Sequence, residues 1–147
     1  VQMQFSLLTS PSVEDEKIKS ISKENNIEYL AYSPLALGLL TIAPDILPKP
    51  STFIRQELFR RLLPKTKDLR RLLTDIGQKY SASQAQVALN WVRSHDAKPI
   101  VGIRNPFQAK DAISALSWSL TKSEKEKLDS YRNKCFTNMP QNPFTSP

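Results

Sequence analysis

The chain has 147 residues, 39% of them apolar, and carries a formal charge of +7, which fits one ordinary domain with a buried core. One cysteine (Cys135) and one histidine (His95) exclude a disulfide framework and a zinc site supplied from within the chain. No apolar run approaches the ~20 residues of a membrane span and no signal-peptide pattern opens the chain, so the expectation is no membrane and a reducing compartment, the cytoplasm.

In chain order, residues 1–6 alternate Val1, Met3 and Phe5 with Gln2 and Gln4, the period of a strand. A sequence that opens inside a strand implies that the gene product begins further upstream. Residues 9–12 read as a turn, and Ser12-Val-Glu-Asp15 as a capping box opening a helix. Its acidic start suits the helix dipole, and Ile18 and Ile21 are expected to form its buried stripe. Asn25-Asn26 ends that helix, and residues 27–32 form the second strand. Residues 33–51 are a long loop holding Pro34, Pro44, Pro48 and Pro50, and loops of that length in compact domains are functional or mobile.

A helical stretch follows, broken at Pro64. Leu69, Leu72, Leu73, Ile76 and Tyr80 then recur at the spacing of a helix face. Ser83-Gln-Ala-Gln86 is a second capping box, starting a helix with Val87, Ala88, Trp91 and Val92 inward. Residues 98–103 are the third strand. Asn105-Pro106 pairs an N-cap with proline at the first helical position, and that helix carries Ala109, Ile113 and Leu116. Thr121-Lys-Ser-Glu124 caps a last helix with Leu128 and Tyr131, and residues 136–147 form an irregular tail with three prolines. Strands alternating with helices imply parallel βαβ units, an α/β fold.

Residues 55–71 hold seven basic side chains and two acids, Glu57 and Asp68, so +5 of the +7 lies there. A basic stretch raises nucleic-acid binding. Leu58, Leu62, Leu63, Leu69, Leu72 and Leu73 interleave at helical spacing, however, and only Phe59 could stack on a base. A solvated helix face is the reading, with no nucleic-acid partner.

Neither a Gly-x-Gly-x-x-Gly nor a Walker loop is present. Two of the three glycines, Gly38 and Gly102, fall at or just after strand ends, the edge at which parallel α/β proteins bind ligands. Tyr32 closes the second strand, and Ser33-Pro34 then sets fixed turns with exposed backbone N–H groups. An aromatic face beside such donors suits a heteroaromatic ring joined to a phosphate. Gly102 marks either a close backbone approach or a strand bend. Arg104-Asn105-Pro106-Phe107-Gln108 gathers a guanidinium and a helix start where an anion could dock. Pro106 removes one donor, leaving the Phe107 and Gln108 N–H groups; the competing reading is a capped helix with a surface arginine. His95 lies in the turn entering the third strand, at the end opposite this edge, and reads as a surface loop residue. Trp91 and Trp118 read as packing residues. No nucleophile–base pair is visible, and no metal site.

Tyr32-Ser-Pro-Leu-Ala-Leu-Gly-Leu-Leu-Thr41, Ala88-Leu-Asn-Trp91, Pro99-Ile-Val-Gly-Ile-Arg-Asn-Pro-Phe-Gln-Ala-Lys-Asp111 and Trp118-Ser-Leu-Thr121 closely resemble the C-terminal half of aldo-keto reductases. The likeness runs from Val1 to about Tyr131, and is nearest to cyanobacterial and plastid-type members. It implies a TIM barrel that binds NADP(H). By resemblance Gln2 would bond the nicotinamide carboxamide and Tyr32 would stack on its ring. Ser33, Leu35 and Gly38 would line the pyrophosphate, with Gly102 at the same edge. Arg104 and Asn105 would hold the 2′-phosphate, with Gln108 beside it and Asp111 near the adenine amine. Ala112 stands where the family usually has Asn, and Ile42 where it has Gly.

The family's catalytic Asp, Tyr, Lys and His precede its sixth strand, at which this chain opens, so no catalytic residue is expected here. Three strands cannot close an eight-stranded barrel, which takes about 250 residues. The expectation is therefore an incomplete (β/α)8 TIM barrel, strands six to eight, spanning residues 1–147. It would be the NADPH-binding half of an aldehyde or ketone reductase with a small-molecule carbonyl substrate, inactive alone. The alternative is a non-catalytic nicotinamide-binding or regulatory protein of the same fold.

Overall fold

A computed structural model describes residues 1–9, 13–48 and 53–134, with the side chains of residues 13–15 and 54 excepted. The expected cap at Ser12, Pro50, Cys135 and the tail 136–147 lie outside the described residues. The elements are β1 (Gln2–Gln4), α1 (Val13–Glu24), β2 (Tyr29–Tyr32), a 3-10 helix (Ala36–Thr41), α2 (Phe53–Leu62), α3 (Lys67–Tyr80), α4 (Gln84–Arg93), β3 (Ala97–Ile100), α5 (Pro106–Ser114), a 3-10 turn (Ala115–Ser117) and α6 (Lys122–Lys134). The three strands form one parallel sheet in the order β1-β2-β3.

The strands are shorter than their apolar runs because β2 is bounded by two left-handed residues. Asn26 (φ 55°) precedes it and Ser33 (φ 53°) follows, turning the chain out of the ladder. Tyr32 pairs with Gln4 on one side and Ile100 on the other, so residues 101–103 continue beyond the sheet. Alternation divides the strands into two faces. Tyr29, Ala31 and Ala97 enter the core with Phe5, Leu39, Leu73, Trp91 and Leu128. The other face presents exposed Gln2, Lys98 and Ile100 and half-buried Gln4, Leu30 and Tyr32.

Pro64 separates α2 from α3 as expected, and Leu69, Leu73 and Ile76 are buried on α3. Val87, Ala88, Trp91 and Val92 are all buried on α4. Thr121 and Glu124 form a closed capping box: Glu124 Oε2 accepts from the Thr121 N–H at 3.0 Å, and Thr121 Oγ1 from the Glu124 N–H at 3.3 Å. Ser83 Oγ accepts from the Gln86 N–H at 3.1 Å, but the Gln86 side chain turns away to Asp111 and Trp118.

Two expected apolar stripes are not buried. On α1, Ile18 is half-buried and Ile21 is 46% exposed, while Ser22 is buried with its hydroxyl on the Ile18 carbonyl at 2.7 Å. On α5 no residue is buried and Ile113 is exposed, as is Leu116, which the structure places in the following 3-10 turn. Polar contacts set that helix's rotation: Asp111 is gripped by Ser83 and Gln86, both at 2.7 Å, and Arg93 donates to the Ala115 carbonyl at 2.7 Å.

His95 is not a free surface residue. Its ring lies edge-on to Phe5 and tilted against Trp91, and its Nε2 is 2.9 Å from Asp129 Oδ1. Burial holds the imidazole below its usual pKa, with Asp129 acting in the opposite direction. Within residues 55–71 the leucines and Phe59 face inward, and so does one cation, Arg70.

Gly77, near the end of α3, is fixed by space rather than by backbone angle. A Cβ there would stand 2.5 Å from the Ala82 carbonyl oxygen, a backbone atom. Gly77→Ala should therefore destabilise the fold by ~1–3 kcal/mol through forced displacement, read as a lowered midpoint in thermal unfolding of the protein.

Candidate functional site

At the C-terminal edge of the sheet lies a cleft of about 750 Å³, walled by the segment after β2, by α2, and by the starts of α4 and α5. The segment after β2 is left-handed at Ser33 (φ 53°), Ala36 (φ 50°), Leu37 (φ 56°) and Gly38 (φ 90°). Each such non-glycine residue costs roughly 1–2 kcal/mol, and strain of this kind clusters at ligand sites. The turns close on themselves, the Ala36 N–H donating to the Ser33 carbonyl at 2.9 Å and the Gly38 N–H to the Leu35 carbonyl at 3.0 Å, so the segment forms a shaped wall of the cleft. At Gly38 the positive φ excludes most side chains, and a Cβ would also come 3.3 Å from Arg55 Nη2.

Arg55 belongs to the cleft, although in the sequence it reads as part of a solvated helix face. It projects from the first turn of α2, donates from Nη2 to the Leu37 carbonyl at 2.9 Å, and lies 5.3 Å from the centre of the Phe59 ring. Its Nε is buried with no hydrogen-bond partner among the described residues. No sequence signal marks this contact, which joins residues 18 positions apart across a proline-rich loop.

Across the cleft, α5 opens on Asn105, whose Oδ1 accepts from the Gln108 N–H at 2.9 Å, while Gln108 Oε1 accepts from the Arg104 N–H at 2.8 Å. This reciprocal cap corrects one expectation. The Gln108 N–H is taken up by Asn105, so the Phe107 N–H is the donor left at the helix start. The Arg104 side chain is exposed and lines the cleft. Asp111 also reaches the cleft wall, with its two carboxylate oxygens already accepting from Ser83 and Gln86.

Of the ten residues expected to touch a cofactor, Ser33, Leu35, Gly38, Gly102, Arg104, Asn105, Gln108 and Asp111 line this one cleft. Tyr32 and Gln2 lie outside its lining. Tyr32 ends β2 as expected, level with Gln4, and Gln2 pairs with Leu30 two residues lower on the same open face. Gly102 lies two residues past the end of β3, and among the described residues nothing beyond its chain neighbours comes within 4 Å of a Cβ built there. That empty space admits a ligand but does not by itself require glycine. Ile42 and Ala112, the two departures from the family pattern, both stand in the lining. Among the described residues no cluster of three or more metal-ligating side chains occurs, and no helix is long and apolar enough to cross a membrane.

The sequence profile of the Aldo/keto reductase family matches residues 1–133. A chloroplastic pyridoxal reductase of Arabidopsis thaliana is 38% identical over 97% of this chain and 39% of its own length. Aldo-keto reductase str7 of Strobilurus tenacellus is 32% identical over 76% of this chain and 36% of its own. The chain thus spans under two fifths of the length of these relatives. Among solved structures, a glycerol dehydrogenase of Gluconobacter oxydans superimposes with a TM-score of 0.75 at 23% identity, over 99% of this chain and 45% of that one. The likeness in fold is to part of a barrel of parallel strands.

Proposed function

The chain belongs to the aldo/keto reductase family, and on that premise we propose that it is the NADP(H)-binding part of an aldehyde or ketone reductase barrel. One observation carries the reading: two arginines, Arg55 and Arg104, line one cleft at the C-terminal edge of the sheet, with a left-handed segment as its wall. The residues present fit a dinucleotide. The cleft's 750 Å³ lies within the roughly 300–1,000 Å³ common for small-molecule sites, and two guanidinium groups stand in its lining.

Arg104 and Asn105 hold the 2′-phosphate, with Gln108 and Asp111 toward the adenine. Ser33, Leu35, Gly38 and Arg55 hold the pyrophosphate, and Gln2 and Tyr32 receive the nicotinamide. When bound, the cofactor supplies hydride to a small-molecule carbonyl. The chain's own share is to bind, orient and supply positive charge before the reaction. On the family resemblance, the proton donor would be supplied by the barrel strands that come before the sixth. The domain proposed is the whole stretch 1–147 as a partial barrel, strands six to eight, and the cytoplasm is its proposed compartment. The same cleft would also serve a non-catalytic, regulatory nicotinamide-binding protein, since cofactor binding does not require the catalytic residues. Coding sequence ahead of Val1, with or without the family's Asp, Tyr, Lys and His, separates the two.

The reading is tested by titrating the intact protein with NADPH and following the nucleotide's fluorescence. Saturable binding is expected, weakened at least about tenfold by Gly38→Val, because a β-branched residue resists positive φ and crowds Arg55. Absence of binding in the wild type, or equal binding in the variant, would overturn it.

A further inference from the structure

Resting on the reading that the cleft takes NADP(H), we infer that Arg70 is the positioning residue of that site: its buried guanidinium ties the segment after the 3-10 helix to the end of α2, two walls of the cleft, and its backbone carbonyl holds a third. Arg70 lies in the first half of α3 and is 2% exposed despite its charge. Nη1 donates to the carbonyls of Ile42 at 3.1 Å and Ala43 at 2.7 Å. Nη2 donates to Leu63 at 3.0 Å and to Pro44 at 3.4 Å. The nearby carboxylate of Asp45 is held instead by Lys67 at 2.8 Å.

A cation taken out of water is costly, and a well-packed apolar residue is often as stable in its place. What guanidinium adds is direction. Its planar fork holds several acceptors in one fixed arrangement, which neither an apolar side chain nor a lysine can do. Three of its acceptors lie on the stretch just after the 3-10 helix, and Thr41, Ile42 and Pro48 of that region line the cleft. The fourth, Leu63, follows α2, which sends Arg55 and Phe59 into the cleft. The backbone carbonyl of Arg70 itself accepts from Gln84 Nε2 at 2.8 Å, and Gln84 lines the cleft at the start of α4. Arg70 touches no part of the proposed cofactor region directly and acts through these walls.

Without the fork, residues 42–44 must be ordered anew at each binding event. Fixing one backbone residue is enough to weaken affinity about tenfold. The test compares Arg70→Met and Arg70→Lys with the wild type in the intact protein. Its readouts are NADPH affinity by fluorescence, NADPH release by stopped flow, thermal unfolding without nucleotide, and limited proteolysis within residues 42–48. Both variants should bind about tenfold more weakly and release faster. They should be cut sooner within 42–48 unless NADPH is saturating, and each should still unfold cooperatively.

Unchanged affinity and release in both variants would overturn the inference. So would an Arg70→Met protein that fails to fold beside an Arg70→Lys protein that folds and binds normally, since Arg70 would then be purely structural. A wild type that binds no NADPH would instead remove the cofactor reading, while proteolysis still reports whether Arg70 holds residues 42–48.

Discussion

Expressed as these 147 residues alone, the chain will reduce no aldehyde and will self-associate rather than unfold as a cooperative monomer. Parallel sheets are ordinarily covered on both faces. Here one face packs into the core through Tyr29, Ala31 and Ala97, while Gln2, Lys98 and Ile100 stand exposed on the other. The two outer strands, β1 and β3, each have β2 as their only partner in the described sheet, and open edges template aggregation. Binding of a hydrophobic dye and a broad, concentration-dependent thermal transition are the expected measurements. Catalysis fails for a separate reason. The one histidine is packed against Phe5, Trp91 and Asp129 at the end of the sheet away from the cleft. On the proposed reading, the acid that hydride transfer to a carbonyl needs would come from outside these 147 residues. NADPH should show no oxidation above background with an aldehyde panel, a deficit of orders of magnitude because general acid catalysis alone contributes ~10²–10⁴. A sharp, reversible melt of a monomer would refute the first half. Turnover abolished by Tyr32→Ala would refute the second and assign Tyr32 the acid's role.

What the sequence disclosed was local. Pro64 had to break a helix, and Asn105-Pro106 and Thr121–Glu124 had to start one, because caps and proline act within a turn of themselves. Burial of Val87, Ala88, Trp91 and Val92 was legible from their spacing, but α4 is buried all round, Gln86, Leu89 and Asn90 included, because neighbours cover its other side too. Part of the cleft was legible because Ser33, Gly38, Gly102 and Arg104 follow two strand ends that parallel strands bring together, whereas Leu35 and Asp111 came from the family resemblance and Phe59, Ser83 and Gln84 were not foreseen in it. Rotation of α1 and α5 was not legible. Ile21 and Ile113 promise burial by spacing, but the α5 rotation follows Asp111, whose partners Ser83 and Gln86 are more than twenty residues away. Arg55 and Arg70 were hidden for a related reason. In a basic stretch all cations look alike, and only the folded chain separates those that enter the cleft or the core from Arg60, which pairs with Glu57 on the surface at 2.7 Å. His95 reads as a loop residue by position, and its burial depends on Asp129 arriving from α6.

Arg104→Ala in the intact protein should erase most of the preference for NADPH over NADH. The two cofactors differ only in the 2′-phosphate, so a residue that holds that group affects one and not the other. Arg104 stands immediately before the start of α5, where the Asn105 cap leaves the Phe107 N–H free, and the helix dipole adds partial positive charge at the same place. Its own backbone N–H is tied to Gln108 Oε1 at 2.8 Å, which fixes where the side chain departs. A charge-assisted contact to phosphate of this kind is worth a factor of roughly ten to a hundred in affinity. The variant should bind NADPH more weakly by about that factor and NADH almost unchanged. Raising the salt concentration should narrow the gap between wild type and variant, since an exposed cation acting on an anion is screened. Lys110, one turn further on, is exposed but absent from the cleft lining, so Lys110→Ala should have a much smaller effect. Arg55→Ala offers the contrast. Arg55 bonds the Leu37 carbonyl beside Gly38, on the side proposed for the pyrophosphate that both cofactors carry, so its loss should weaken NADPH and NADH together. Equal losses for the two cofactors in Arg104→Ala would mean that Arg104 supports the cap of α5 and does not read the phosphate.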